Sequence, residues 1–284
     1  GRIYVANEGI NAQISVGEAN LDQLRATLNE ITFLKDIRLN IAVDDDGKSF
    51  YKLKILVKHK ILADGLNDET FDVTKKGQHV NAEQFNALHD QENTIVIDMR
   101  NHYETEVGHF EKAITPDVDT FRDSLPIIED MLTSHKEKNL LMYCTGGIRC
   151  EKASAYFKHK GFENVYQLEG GIIKYAQDVK ANGLDNKFRG KNFVFDERLG
   201  ERISDEIISN CHQCGKPCDT HTNCKNVACN LLFIQCEECA AEKEGCCSTA
   251  CQDTIHLPEE EQKELRKKKD TGIRIFSKGR FPKE

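Results

Sequence analysis

Cys144-Thr145-Gly146-Gly147-Ile148-Arg149 is the stretch best equipped for chemistry. The apolar run Leu140-Leu141-Met142-Tyr143 ends at the cysteine, and Cys150-Glu151-Lys152-Ala153 beyond it favour helix. A strand that turns through two glycines into a helix aims several backbone N–H groups into the turn, and the helix start adds partial positive charge. A cysteine placed there is held as thiolate, its reactive form. Gly146 and Gly147 let the chain curl without a Cβ in the way, and Arg149 brings a full positive charge. The expected chemistry is a cradle for one anionic sulfur and whatever it carries. The plain alternative is a buried structural cysteine. Cys150 reads either as a small residue in the first helical turn or as a second thiol that forms a disulfide with an oxidised or persulfidated Cys144.

Other residues could support or compete with this site. Asp98-Met99-Arg100 ends an apolar strand, so Asp98 is placed to orient a loop amide or Arg149, or to cap a turn. His102-x-Glu104 and His109-x-Glu111 each supply half of a two-His, one-carboxylate iron site, but nothing places a third ligand, and a structural His109 is expected. Ten of the twelve cysteines lie between Cys211 and Cys251. Cys211-x2-Cys214 and Cys236-x2-Cys239, 21 residues apart, have the spacing of a structural zinc site. Cys218, Cys224, Cys229, Cys246, Cys247 and Cys251 could build a second site, with no ligand set assignable from spacing. An iron–sulfur cluster or disulfides would use the same residues.

The elements that must hold these groups follow from periodicity. Arg2–Val5 and Ala12–Val16 read as strands around Asn7-Glu8-Gly9, residues 19–31 as an amphipathic helix, and Ile37–Val43 and Leu53–Val57 as further strands. The acidic Asp44–Asp46 triplet reads as a solvated turn. This order fits a ferredoxin-like unit over 1–75 that lacks its first strand and helix. Over 76–185, strands at Ile95–Asp98, Leu140–Tyr143 and Val165–Leu168 alternate with helices. One helix is capped by Asn81 and Gln84, one spans Phe121 to His135 interrupted by Pro126, and one is opened by Gly170-Gly171. That pattern implies a mainly parallel sheet with the cysteine loop at the carboxyl end of a strand. Residues 186–257 form a connector, with Phe193–Arg198 as an edge strand, and the cysteine-rich region. Residues 258–284 form a charged tail. The fold class is therefore a multidomain α/β and α+β protein.

The 284 residues are 30% charged with net charge −8, against non-specific nucleic-acid binding by the whole surface. A local basic site is still available, since nine Lys or Arg face three acids from Gln262 to Glu284. No apolar run reaches the roughly 20 residues needed to span a bilayer, and no secretory pattern is visible. The expectation is a cytoplasmic enzyme, where clustered cysteines bind metal rather than pair.

Asp98-Met99-Arg100-Asn101-His102-Tyr103-Glu104, Gly108-His109-Phe110 and the Cys144–Arg149 loop resemble the rhodanese domain. Together with Val5–Ala12, Tyr143–Ser154, Gly190–Arg198 and Cys211–Gly215, they resemble the bacterial tRNA uridine hydroxylases over nearly the whole chain. The resemblance implies hydroxylation of the wobble uridine at C5 in the anticodon region of tRNA, with molecular oxygen as co-substrate. It places the persulfide-forming cysteine on Cys144. Zinc is expected and no organic cofactor is recognisable. A rhodanese-type sulfurtransferase acting through a Cys144 persulfide is the competing reading. A phosphatase is disfavoured, because rhodanese-like phosphatases place five residues between cysteine and arginine, and here there are four.

Overall fold

The computed structural model describes residues 1–43, 49–66, 70–268, 276–277 and 279–281. The Asp44–Asp46 turn and much of the basic tail lie outside these residues. The N-terminal unit has strands β1 (Arg2–Ala6) and β2 (Gly9–Gln13), helix α1 (Leu21–Glu30) and strand β3 (Lys54–Val57). Its sheet runs β2-β1-β3, with β1 antiparallel to β2 and parallel to β3. The second strand begins three residues earlier than periodicity suggested. Asn7-Glu8 is a two-residue hairpin loop that sets Gly9 opposite Ala6.

Ile37–Val43 is not a strand. Two of its backbone groups meet side chains instead of a ladder: Gln177 donates to Ile41 O (2.5 Å), and Val43 N–H donates to Glu201 Oε1 (3.2 Å).

The central unit contains β4 (Gln78–Val80), α2 (Ala82–His89), β5 (Thr94–Asp98), α3 (His102–Thr105), β6 (Gly108–Phe110), α4 (Phe121–Leu132), β7 (Asn139–Tyr143), α5 (Ile148–His159), β8 (Asn164–Leu168) and α6 (Gly171–Asn182). Four strands form an all-parallel sheet in the order β4-β8-β7-β5. The Asn81–Gln84 capping box starts α2. Pro126 does not interrupt α4, whose Phe121, Leu125, Ile128 and Leu132 form one buried stripe that holds the helix together.

Two-residue alternation along β7 divides the core. Leu140, Met142 and Cys144 point into the cluster shared with α4 and α5, whereas Leu141 and Tyr143 point into the one shared with α2 and α6. Cys144 thus leaves the sheet on the side where α5 begins.

β9 (Phe188–Asn192) pairs with β6 and with β10 (Glu201–Arg202). The edge strand expected at Phe193–Arg198 is displaced onto β9. Arg198 N–H turns back to Asp196 Oδ1 (3.0 Å), closing a turn where a strand was expected. The last region holds the hairpin β11 (His221–Asn223) and β12 (Leu232–Ile234), then α7 (Glu237–Glu242), α8 (Thr249–Ile255) and α9 (Glu259–Lys268).

Candidate active site and metal centres

Cys144 stands between the end of β7 and the start of α5, and is fully buried. Gly147 N–H donates to its Sγ at 3.1 Å. Burial alone would raise this thiol. The Cys150 thiol, the Arg149 charge and the N–H groups of Cys150 and Arg149 more than offset it, bringing Cys144 down to about 6. Cys150 is buried beside it and is pushed well above the ordinary thiol value, by burial first and then by Cys144. The two sulfurs therefore divide the roles: Cys144 ionises and Cys150 keeps its proton.

The loop's shape depends on its glycines. Gly147 has φ +98°. Gly171, at φ +65°, opens α6 so close to the loop that a β-carbon there would lie 2.5 Å from the carbonyl oxygens of Cys144 and Thr145. That approach lets Ile172 N–H donate to Cys144 O (3.0 Å) and Ile173 N–H to Thr145 O (3.2 Å). The first turn of α6 thereby pins the outer side of the loop.

Arg149 is not oriented by Asp98. Its Nη1 and Nη2 donate to the two oxygens of Glu104 at 2.6 and 2.7 Å, in a fork with both side chains buried. Burial opposes the Arg149 charge, and Glu104 more than offsets it, raising the guanidinium above its ordinary value. Nη2 also reaches Thr145 Oγ1 at 3.4 Å, and the Phe195 ring lies 5.9 Å from the guanidinium carbon. Asp98 instead holds Arg100 through bonds of 2.7 to 3.1 Å, and Arg100 in turn donates to Gly108 O (2.5 Å). That fully buried pair braces the strand ends beneath the site. Ile148 is the first residue of α5, and Gly146 O accepts from Asn40 Nδ2 (3.4 Å).

The two half-motifs for iron do not converge. Glu104 is taken by Arg149, Glu111 pairs with Arg189, and His109 Nδ1 faces Phe110 O. Glu104 escaped sequence reasoning in its actual role because its partner lies 45 residues away. Arg38 and Asn40 were missed for the same reason. Asn40 Nδ2 also donates to Gly170 O (3.3 Å), so it ties the two glycine loops together from the N-terminal side.

All twelve cysteines are free thiols. Eight fall into two groups of four: Cys211, Cys214, Cys236 and Cys239; and Cys224, Cys229, Cys247 and Cys251. Within each group the sulfurs lie within 4.8 Å of one another. The Cys214–Cys236, Cys229–Cys247 and Cys247–Cys251 sulfurs are each 3.7 Å apart. A tetrahedral Zn–S4 site with bonds near 2.3 Å needs sulfurs roughly 3.8 Å apart. The spacing fits one ion and leaves no room for a cluster carrying its own sulfides. Backbone N–H groups approach the sulfurs in both groups, from Cys236 to Cys211 and from Cys247 to Cys224, each at 3.4 Å. Cys218 and Cys246 stand outside both groups. Gln235 joins the two, donating to Gln213 Oε1 (2.8 Å) and Cys246 O (3.3 Å).

Three family models match: a UPF0176 acylphosphatase like domain over residues 1–61, a rhodanese-like domain over 81–178, and the domain described as rhodanase C-terminal over 189–252. A protein of Photorhabdus laumondii subsp. laumondii, named tRNA uridine(34) hydroxylase, is 57% identical over 281 residues, 99% of this chain and 80% of that protein. The chain belongs to the tRNA uridine(34) hydroxylase family. A second member, from Pectobacterium carotovorum subsp. carotovorum, is likewise 57% identical over 281 residues, 99% of this chain and 79% of its own length. Among solved structures, the rhodanese-like domain of an Anabaena protein is similar at 20% identity and a TM-score of 0.31, over 39% of this chain and 78% of that one. The resemblance drawn from the sequence motifs is borne out, as are the α+β N-terminal unit expected as ferredoxin-like, which matches the acylphosphatase like domain, and the rhodanese domain with its parallel sheet. In this chain the Cys144–Arg149 loop lies within the stretch that matches the rhodanese-like domain.

Proposed function

We propose that this protein hydroxylates uridine 34 of tRNA at C5, with molecular oxygen as co-substrate and Cys144 as the reactive atom. The observation that carries the reading is a buried thiol lowered to about 6 inside a cradle of N–H donors, in a chain 57% identical to named tRNA uridine(34) hydroxylases. The Cys144 thiolate adds to C6 of the uracil, and the C5=C6 electron pair moves toward C5 and O4 as an enolate. C5 then bonds to one oxygen atom of O2; the O–O bond breaks, and a two-electron reductant from outside the chain, with protons from water, carries the second oxygen away as water. Loss of the C5 proton with expulsion of the thiolate restores the ring. The N–H groups of Gly147, Arg149 and Cys150 hold the sulfur's charge before addition and after release. Glu104 keeps Arg149 in place.

The two four-thiol groups each hold a structural zinc ion in this reading, because that donor set at that spacing suits a closed site. Cysteines make up much of the buried cluster here, with Leu231 and Phe233, so a bound ion would tie that cluster together. The work is done in the cytoplasm, where tRNA is met and thiols stay reduced. Among the described residues no helix is long and apolar enough to cross a membrane.

The test is Cys144→Ser, with 5-hydroxyuridine in tRNA read by nucleoside mass spectrometry in air and under nitrogen. Product that needs both Cys144 and air is expected. Product from the variant would sink the nucleophile role. The rhodanese-like match over 81–178 supports a second reading, sulfur transfer through a Cys144 persulfide. Thiocyanate formed from thiosulfate and cyanide, without 5-hydroxyuridine, would favour it.

A further inference from the structure

The cation that the loop motif assigns to the mouth of the cradle is not available there. The Arg149 side chain is 8% exposed and forked onto Glu104. Another arginine stands where Arg149 was expected to act. Arg38 Nη2 lies 3.9 Å from the point where a Gly147 β-carbon would stand, and Gly147 donates to the reactive sulfur. The Arg38 side chain is 39% exposed. It reaches this position because Asn40, two residues on, is tied to Gly146 O and Gly170 O, and Ile41 O to Gln177.

Arg38 is also the least committed cation at this rim. Its pairs are long, 4.0 Å to Glu151 and 3.6 Å to Glu169. Glu151 is already served by Lys76 at 2.6 Å and His79 at 2.8 Å. Lys174, beside Gly170, is held by Asp178 at 2.5 Å. Long, half-exposed pairs contribute little and exchange easily for a better anion. A guanidinium with donors to spare matches a phosphate in a fork. When an enzyme draws a base into a buried site, the flanking phosphates stay at the rim.

We propose that Arg38 is a substrate-positioning residue that holds a phosphate flanking the target uridine at the mouth of the Cys144 cradle. This rests on the tRNA reading above. The N-terminal unit's outgoing segment is then part of the active site, and the rhodanese domain alone has an incomplete mouth.

The experiment uses the full chain and a synthetic anticodon stem-loop RNA carrying uridine 34. Affinity is read by fluorescence anisotropy across a salt series, and turnover by mass spectrometry. Arg38→Ala should raise Kd and KM about tenfold while kcat changes by less than about twofold, the pattern of lost uniform binding. The slope of log Kd against log salt should fall by about 0.7, one single-strand phosphate contact. Arg38→Lys should restore the slope and part of the affinity. A slope and Kd equal to wild type in Arg38→Ala would overturn the assignment. So would a fall in kcat with Kd unchanged, or failure of the wild-type protein to bind the RNA. Melting temperatures of Arg38→Ala and Arg38→Gln identify a variant that fails to fold, and the folded one is then scored. Binding is read without turnover, so a wild-type protein that binds in a salt-dependent way yet makes no 5-hydroxyuridine refutes the hydroxylase reading and leaves the Arg38 result standing.

Discussion

At the scale of single residues, Cys144, Glu104 and Arg149 act as one unit. The Cys144 thiol sits near 6, so thiolate forms as pH rises through that value and is lost as pH falls below it. Alkylation by a small electrophile should therefore follow a single ionisation near pH 6 and level off above about pH 7. Arg149→Gln should move that midpoint upward, because it removes a charge that favours the thiolate. Glu104→Gln breaks a buried pair and leaves Arg149 buried without its counter-charge. A loss of about 3–5 kcal/mol in urea unfolding is expected, against less than about 0.5 kcal/mol for an exposed carboxylate such as Glu83. Sequence reasoning identified the sulfur and its N–H cradle because strand, glycines and helix start are contiguous. It assigned Arg149 its charge and missed its burial, since nothing local announces a partner on α3.

At the scale of elements, the parallel strands were legible because strands covered on both faces are short apolar runs, and Ile95–Ile97 and Leu140–Met142 are just that. Ile37–Val43 was misread because its alternation imitates a half-buried strand. In the fold the segment has no ladder partner, and side chains from α6 and β10 take two of its backbone groups. The Phe193–Arg198 motif was misplaced by one turn for a similar reason: Asp196 and Arg198 close on each other. Two glycines test how tightly the site's elements fit. Gly171 and Gly183 both have positive φ, +65° and +62°. A β-carbon at Gly183 meets nothing within 4 Å, whereas at Gly171 it would strike two backbone oxygens of the cysteine loop. Gly183→Ala should cost about 1 kcal/mol for its backbone conformation alone. Gly171→Ala should cost more in thermal melts and should slow Cys144 alkylation by displacing the loop.

At the scale of the whole molecule, the rhodanese sheet is flanked by regions that complete it. The N-terminal segment reaches the loop through Asn40, the connector reaches Arg149 through Phe195, and the cysteine-rich region meets the end of α3 through His212, which lies 2.7 Å from Glu106. The first four-thiol group was legible from two CxxC knuckles. The second was not, because Cys224, Cys229, Cys247 and Cys251 do not pair at regular spacing and are selected by the fold around β11 and β12. Metal analysis should find two zinc ions per chain, falling to one in Cys251→Ser. Strong chelation should raise hydrogen exchange across 211–255 while the parallel sheet stays protected. The Asn40 tie has one further consequence. A sulfur that is ionised but fully enclosed is a molecular sieve: its reactivity should follow the size of the reagent more than its electrophilic strength. Hydrogen peroxide should oxidise Cys144 quickly, while a bulky maleimide reacts slowly until Asn40→Ala loosens the rim.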